Sequence, residues 1–237
     1  MQNIPTLQTQ LLIEGIPSIL WGQPSEKLWI AVHGNLSHKQ DTVIRLFAEQ
    51  AVCAGYQVLS FDLPAHGERS ADDFCGIVQS LADLRTILAY ANQHYKDVCL
   101  FACSIGAYFS LLTYSGEPLK KALFLSPVVN MQRILYDMMR AFDISEKHLR
   151  EERHIPLSGA PALDWDYFCY VKEHPIADWP IPTAILCGEK DELCACDTTA
   201  AFAQTFGSSI NVLPNCTHFF HTPQQLSAFC QWLCLHI

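Results

Sequence analysis

Positive charge is scarce in this sequence. Lys and Arg number 15 against 24 Asp and Glu, a formal net charge of −9 over 237 residues. Phosphate binding needs a basic face, so nucleic acid is not an expected partner, and no polybasic stretch is present to hold an anionic membrane. Long apolar runs are missing too: none reaches the roughly 18 residues of a membrane span. The first residues, Met1-Gln2-Asn3-Ile4-Pro5, lack the basic start and apolar stretch of a secretory signal, so the expected location is the cytoplasm. Internal repeats and low-complexity linkers are likewise absent. Cysteine is plentiful, at 11 residues. In a reducing compartment these thiols are expected to be small core fillers. Cys194-Ala195-Cys196, even with Cys187 and Cys216, fits no common zinc spacing, so no metal or other cofactor is expected.

Half the residues are hydrophobic and 16% are charged, the balance of a globular chain with a well-filled core. A single domain over residues 1–237 is expected. Short apolar runs at 28–32, 57–61, 98–102, 122–125, 183–187 and 210–213 read as buried strands. They alternate with helical patterns at 41–53, 75–94, 104–114, 195–206 and 223–235, several closed by glycine. This alternation predicts an α/β fold, a mostly parallel central sheet flanked by helices, with a leading hairpin from 9–13 and 18–21 joined through Glu14-Gly15. Residues 127–180 break the rhythm. Helices are expected there at 130–142, 145–153 (capped by Ser145) and 165–173 (capped by Asp164), with a loop at 156–161. Open parallel sheets bind ligands at the carboxyl ends of their strands, so this small helical insert is read as a lid.

Ser104 follows the apolar run 98–102 and lies between Ala102 and Gly106. Small neighbours two before and two after suit a sharp strand-to-helix turn that exposes a nucleophilic hydroxyl; a helix-capping serine reads the same way locally. The nucleophile needs a base, and His218, in the loop after the last strand, is the best placed of ten histidines. The base needs a carboxylate, for which Asp191 follows strand 183–187, with Glu189 and Glu192 as near rivals. A tetrahedral intermediate needs backbone donors. The Ile105 amide opens the helix after Ser104, and the Asn35 amide follows the turn at His33-Gly34. His33 itself reads as a structural imidazole bonding loop backbone. Cys103 reads as packing beneath the turn.

With these residues in place, the chain resembles the α/β-hydrolase superfamily in its serine esterase, lipase and acyl-hydrolase branch. The order Ser104, Asp191, His218 matches that family's nucleophile, acid and histidine. His33-Gly34-Asn35 resembles its oxyanion loop, and Leu186-Cys187-Gly188-Glu189-Lys190-Asp191 its acid-bearing segment. The stretch from Asp62 to Ser70 resembles a loop that is largely architectural in relatives. Ala102 and Ala65 stand where glycine is commoner.

The resemblance implies hydrolysis of a carboxylic ester or thioester of a small, largely apolar acyl group through an acyl-enzyme. Acyl transfer, peptide hydrolysis and carbon–carbon bond hydrolysis are run on the same fold, and a non-catalytic ligand-binding member is a further alternative. The expected partner is a small-molecule ester or thioester. Trp165, Phe168 and Met138 in the insert are expected to line its pocket.

Overall fold

The computed structural model describes residues 6–70 and 75–237. The chain opens with a hairpin, β1 (Gln8–Ile13) and β2 (Ile16–Trp21). It continues through β3 (Lys27–Val32), α1 (Thr42–Cys53), β4 (Gln57–Phe61), a short 3-10 turn (Gly67–Arg69), α2 (Ile77–His94), β5 (Asp97–Cys103), α3 (Ile105–Tyr114) and β6 (Ala122–Leu125). The insert follows as α4 (Met131–Ala141), α5 (Glu146–Glu152), β7 (His154–Leu157), β8 (Ala160–Asp164) and α6 (Trp165–Glu173). The chain closes with β9 (Thr183–Gly188), α7 (Cys196–Phe206), β10 (Ser209–Leu213) and α8 (Pro223–His236).

Eight strands form one sheet in the order β1-β2-β4-β3-β5-β6-β9-β10. The pairs from β4 through β10 are parallel, and the leading hairpin joins them antiparallel through β2. Its two-residue loop uses positive φ at both Glu14 and Gly15 (47° and 85°), the twist that matches paired strands.

The central strands are apolar on both faces because both faces are covered. Side chains alternate between them. Leu28, Ile30 and Val32 of β3 join a core with α2, α3 and α7 residues such as Leu81, Phe109 and Phe202. Trp29 and Ala31 join a second core with Phe47 of α1 and Phe229 of α8. In that second core Phe47 stacks on Phe101 at 4.0 Å between centroids, and Trp29 meets Phe47 edge-on at 5.3 Å.

The insert contains the three expected helices, capped by Asn130, Ser145 and Asp164 side chains. The loop expected at 156–161 is instead the middle of a two-stranded antiparallel hairpin, β7–β8. Gly159, at φ +76°, makes the turn. The two prolines sit in an isolated ribbon, where a missing amide donor is tolerated, while Leu163 is buried. The insert's apolar side chains, among them Met131, Leu149 and Phe168, belong to the same core as α2 and α3.

Phe101 is fully buried at the meeting of α1, β5 and α8. Phe101→Ala is expected to cost about 3–5 kcal/mol through lost transfer energy and a residual cavity. In urea unfolding this lowers the midpoint with an unchanged slope. Leu235→Ala at an exposed site is expected to stay within about 0.5 kcal/mol of wild type.

Candidate active site

Parallel pairing sends the carboxyl ends of β3, β5, β6, β9 and β10 to one edge of the sheet, and the loops after them converge there. Ser104 sits between β5 and α3 with φ 49° and ψ −120°, a region that non-glycine residues occupy only when the surroundings over-determine it. Here the Ser104 amide donates to Leu125 O, and its carbonyl accepts from Ala107 and Val128. A Cβ on Gly106 would lie 2.3 Å from His33 O, so the turn closes only with a glycine two residues on. The Ser104 side chain does not cap α3, which removes the capping reading. Beside it, burial pushes the Cys103 thiol well above its ordinary pKa, where the thiolate is disfavoured.

His218 Nε2 lies 2.9 Å from Ser104 Oγ, and His218 Nδ1 lies 2.8 Å from Asp191 Oδ2. With Nδ1–H donating to the carboxylate, Nε2 is left to accept the serine hydroxyl proton. Asp191 is itself fixed, its Oδ1 accepting from the Leu193 and Cys194 amides at 3.0 and 2.7 Å. Both groups are buried. The rivals are elsewhere: Glu189 accepts from the Asn215 amide at 2.9 Å, and Glu192 is exposed.

Gly34 brings the loop after β3 against the nucleophile, since a Cβ there would lie 3.1 Å from Ser104 Cβ. The next amide, Asn35 N–H, has no hydrogen-bond partner among the described residues. The Ile105 amide opens α3, where helical amides have no carbonyl within the helix to bond. His33 lies behind this loop: Nδ1–H donates to Gly34 O at 2.7 Å, and Nε2 accepts from the Leu63 amide at 3.1 Å. Burial lowers its pKa to about 4, so it stays neutral at physiological pH. His66 donates from Nδ1 to Pro64 O and accepts the Leu36 amide at Nε2.

Lys39 is a residue that sequence reasoning missed. Its ammonium pairs with Asp62 and, at 2.6 Å, with Glu68, and its amide donates to Asp62 Oδ1 at 2.9 Å. This clasp ties the loop after β3 to the loop after β4. A lysine in a polar loop looks solvated in sequence, and only its 4% exposure shows otherwise.

A cavity of about 640 Å³ opens beside Ser104, bordered by Asn35, Leu193, His218, Phe219 and Leu226. Trp165, Phe168 and Met138 do not border it. Phe168 is fully buried against Tyr136 and Trp165, and Trp165 and Met138 pack on the α2–α3 core. Apolar area on the insert is buried against the sheet's helical layer, and none of the insert's residues 127–180 lines this cavity.

Among the described residues one group has metal-ligand types in reach of each other: Asp191, Cys194 and His218, with ligand atoms within 4.8 Å. Asp191 and His218 are already bonded to each other. Burial pushes the Cys194 thiol far up, away from the thiolate that metals bind. No helix among the described residues is long and apolar enough to cross a membrane.

The Alpha/beta hydrolase family model matches residues 30–231. Solved structures with a similar fold include Est1E from Butyrivibrio proteoclasticus bound to ferulic acid (18% identity, 96% of each chain covered, TM-score 0.76). Another is alpha/beta hydrolase domain-containing protein 10 from mouse (14%, 96% of each chain, 0.75). A third is the Pyrococcus furiosus esterase Pf2001 (16%, 90% of this chain and 83% of that one, 0.66). No curated protein matches the sequence.

Burial opposes ionisation of Asp62, but the bond from the Lys39 ammonium and the amides of Lys39 and Glu68 outweigh it and hold its pKa below the usual value. A depressed carboxyl contributes stability that is present above its unfolded pKa and lost as pH falls through the folded one. Asp62→Ala, which leaves the buried ammonium with only the exposed Glu68 as carboxylate partner, is expected to cost about 3 kcal/mol at neutral pH. In urea titrations across pH, the gap from wild type should hold from about pH 5 upward and narrow below about pH 4.

Proposed function

The chain belongs to the alpha/beta hydrolase family, and from that premise we propose that it is a serine hydrolase of carboxylic esters or thioesters. The observation that carries this reading is the continuous relay from Ser104 Oγ through His218 to Asp191, with bonds of 2.9 and 2.8 Å. A bare hydroxyl is a weak nucleophile. An imidazole in this tautomer takes its proton as it attacks, and the carboxylate stabilises the imidazolium that forms. The Pyrococcus furiosus esterase of similar fold is consistent with the same reaction class.

In the proposed cycle Ser104 Oγ attacks the acyl carbon and passes its proton to His218 Nε2. The oxyanion is held by the Asn35 and Ile105 amides. His218 then gives the proton to the leaving alkoxide or thiolate. Water, deprotonated by His218, hydrolyses the acyl-enzyme. The apolar side of the cavity, with Leu193, Phe219 and Leu226, favours a largely apolar acyl group. The proposed partner is a small-molecule ester or thioester, and the proposed location is the cytoplasm.

Ser104→Ala is expected to lower kcat on p-nitrophenyl butyrate by roughly 10³-fold or more, and Asp191→Asn by roughly 10⁴-fold through the wrong imidazole tautomer. A fluorophosphonate should label Ser104, as peptide mapping would show. Full turnover by Ser104→Ala, or labelling at Cys103, overturns the proposal.

A further inference from the structure

All 11 cysteines are free thiols, and two of them meet. Cys187 Sγ lies 4.0 Å from Cys196 Sγ. Cys187 stands near the end of β9 and is fully buried. Cys196 opens α7 and is partly exposed. Residues 188–195, between the two, form the loop that carries Asp191. The meeting follows from how β9 and α7 pack. Side chains alternate along a strand, so Cys187 faces the same side as Ile185. Ile185 belongs to the core shared with Phe202 and Ala203 of α7, and the first residue of that helix therefore stands over the end of the strand.

The two sulfurs differ in surroundings. Burial, with Cys196 close by, pushes the Cys187 thiol up to about 12, so it is neither ionised nor in reach of a solute. The sulfur open to an oxidant is Cys196. Redox-sensing cysteines combine these same two features, an accessible sulfur and a second, resolving thiol beside it. In a reducing compartment such pairs are reduced at rest and bridge only transiently.

We propose that Cys187 and Cys196 are a reversible disulfide site through which hydrogen peroxide slows turnover. Cys196 Sγ attacks one peroxide oxygen, the O–O bond breaks, and the thiol proton leaves with the other oxygen as water. Cys187 Sγ then bonds to the sulfenic sulfur. The S–O bond breaks, and the hydroxyl departs with the Cys187 proton as a second water. The two thiols together lose two electrons, and the peroxide gains them. A thiol reductant reverses the bridge by exchange. A covalent bond brings the sulfurs well inside their 4.0 Å contact. β9 is paired with β6 on one side and β10 on the other, so the start of α7 is the end that yields. The Leu193 and Cys194 amides, which hold Asp191 Oδ1 at 3.0 and 2.7 Å, lie just before it. Moving them turns the carboxylate from its bond with His218 Nδ1. The disulfide needs no reading of the activity, whereas the slowed turnover rests on the serine-hydrolase reading above.

The test treats the reduced full chain with hydrogen peroxide, blocks remaining thiols with iodoacetamide, and maps the peptides without reduction. Turnover of p-nitrophenyl butyrate is followed in the same samples. A peptide pair joining Cys187 to Cys196 is expected, with kcat lowered at least about tenfold, since small misplacements of catalytic groups cost on this scale. Dithiothreitol should reverse both. Cys196→Ser, a partly exposed position, should match wild type before oxidation and keep its turnover in peroxide. Cys187→Ala should behave alike and leave Cys196 oxidised but unbridged. A bridge from Cys187 to Cys194 or Cys216 instead, or peroxide sensitivity that persists in Cys196→Ser, overturns the proposal by assigning the effect to another sulfur. A Cys187–Cys196 bridge with unchanged turnover overturns it as well. Ser104→Ala should form the same bridge while showing no turnover, so the disulfide and the hydrolase reading are judged separately.

Discussion

The geometry at the sheet edge depends on one strained residue. Ser104 holds a positive φ because its amide and carbonyl are bonded to β6 and the segment after it, and because Gly106 lets α3 begin in contact with His33 O. Remove either support and the chain relaxes toward an ordinary helix start, with the hydroxyl turned to cap its own helix. The strain of the turn is carried by the parallel sheet around it, whose central strands are buried on both faces. The fold and the candidate site are in this sense one construction.

The loop after β3 needs separate support, because it presents backbone groups and belongs to no strand or helix. Three buried polar groups supply it. His33 bonds both Gly34 O and the Leu63 amide, His66 receives the Leu36 amide, and Lys39 pairs with Asp62. Burial keeps His33 neutral down to about pH 4, and its ring packs 5.1 Å from that of His66. The result is a loop whose Asn35 amide has no hydrogen-bond partner among the described residues.

Much of this was legible in sequence where periodicity and motif agree. The strands 28–32, 57–61 and 122–125 lie within or coincide with the observed β3, β4 and β6, because a strand covered on both faces is a short unbroken apolar run. Ser104, Asp191 and His218 were found by their order in the chain, and the structure brings them together. The β7–β8 ribbon was missed because Pro156 and Pro161 read as loop, and isolated two-stranded ribbons lack the burial pattern of core strands. The insert's Trp165, Phe168 and Met138 were assigned to a pocket because apolar residues near a site look the same in sequence whether they face a ligand or a neighbouring helix. The role of Lys39 depended on tertiary pairing with a loop 23 residues away, which no local pattern encodes.

A Cβ on Gly188 would lie 2.3 Å from Cys216 O and 2.5 Å from Thr217 O. Lys190 N–H also donates to Cys216 O, and the Asn215 amide to Glu189. The segments bearing Asp191 and His218 are thereby joined to each other at several points. The nucleophile belongs to a different junction, between β5 and α3. The acid and imidazole are thereby pinned to each other through the loops after β9 and β10, and the serine through the junction of β5 and α3, so the Ser104–His218 contact is where the two supports meet.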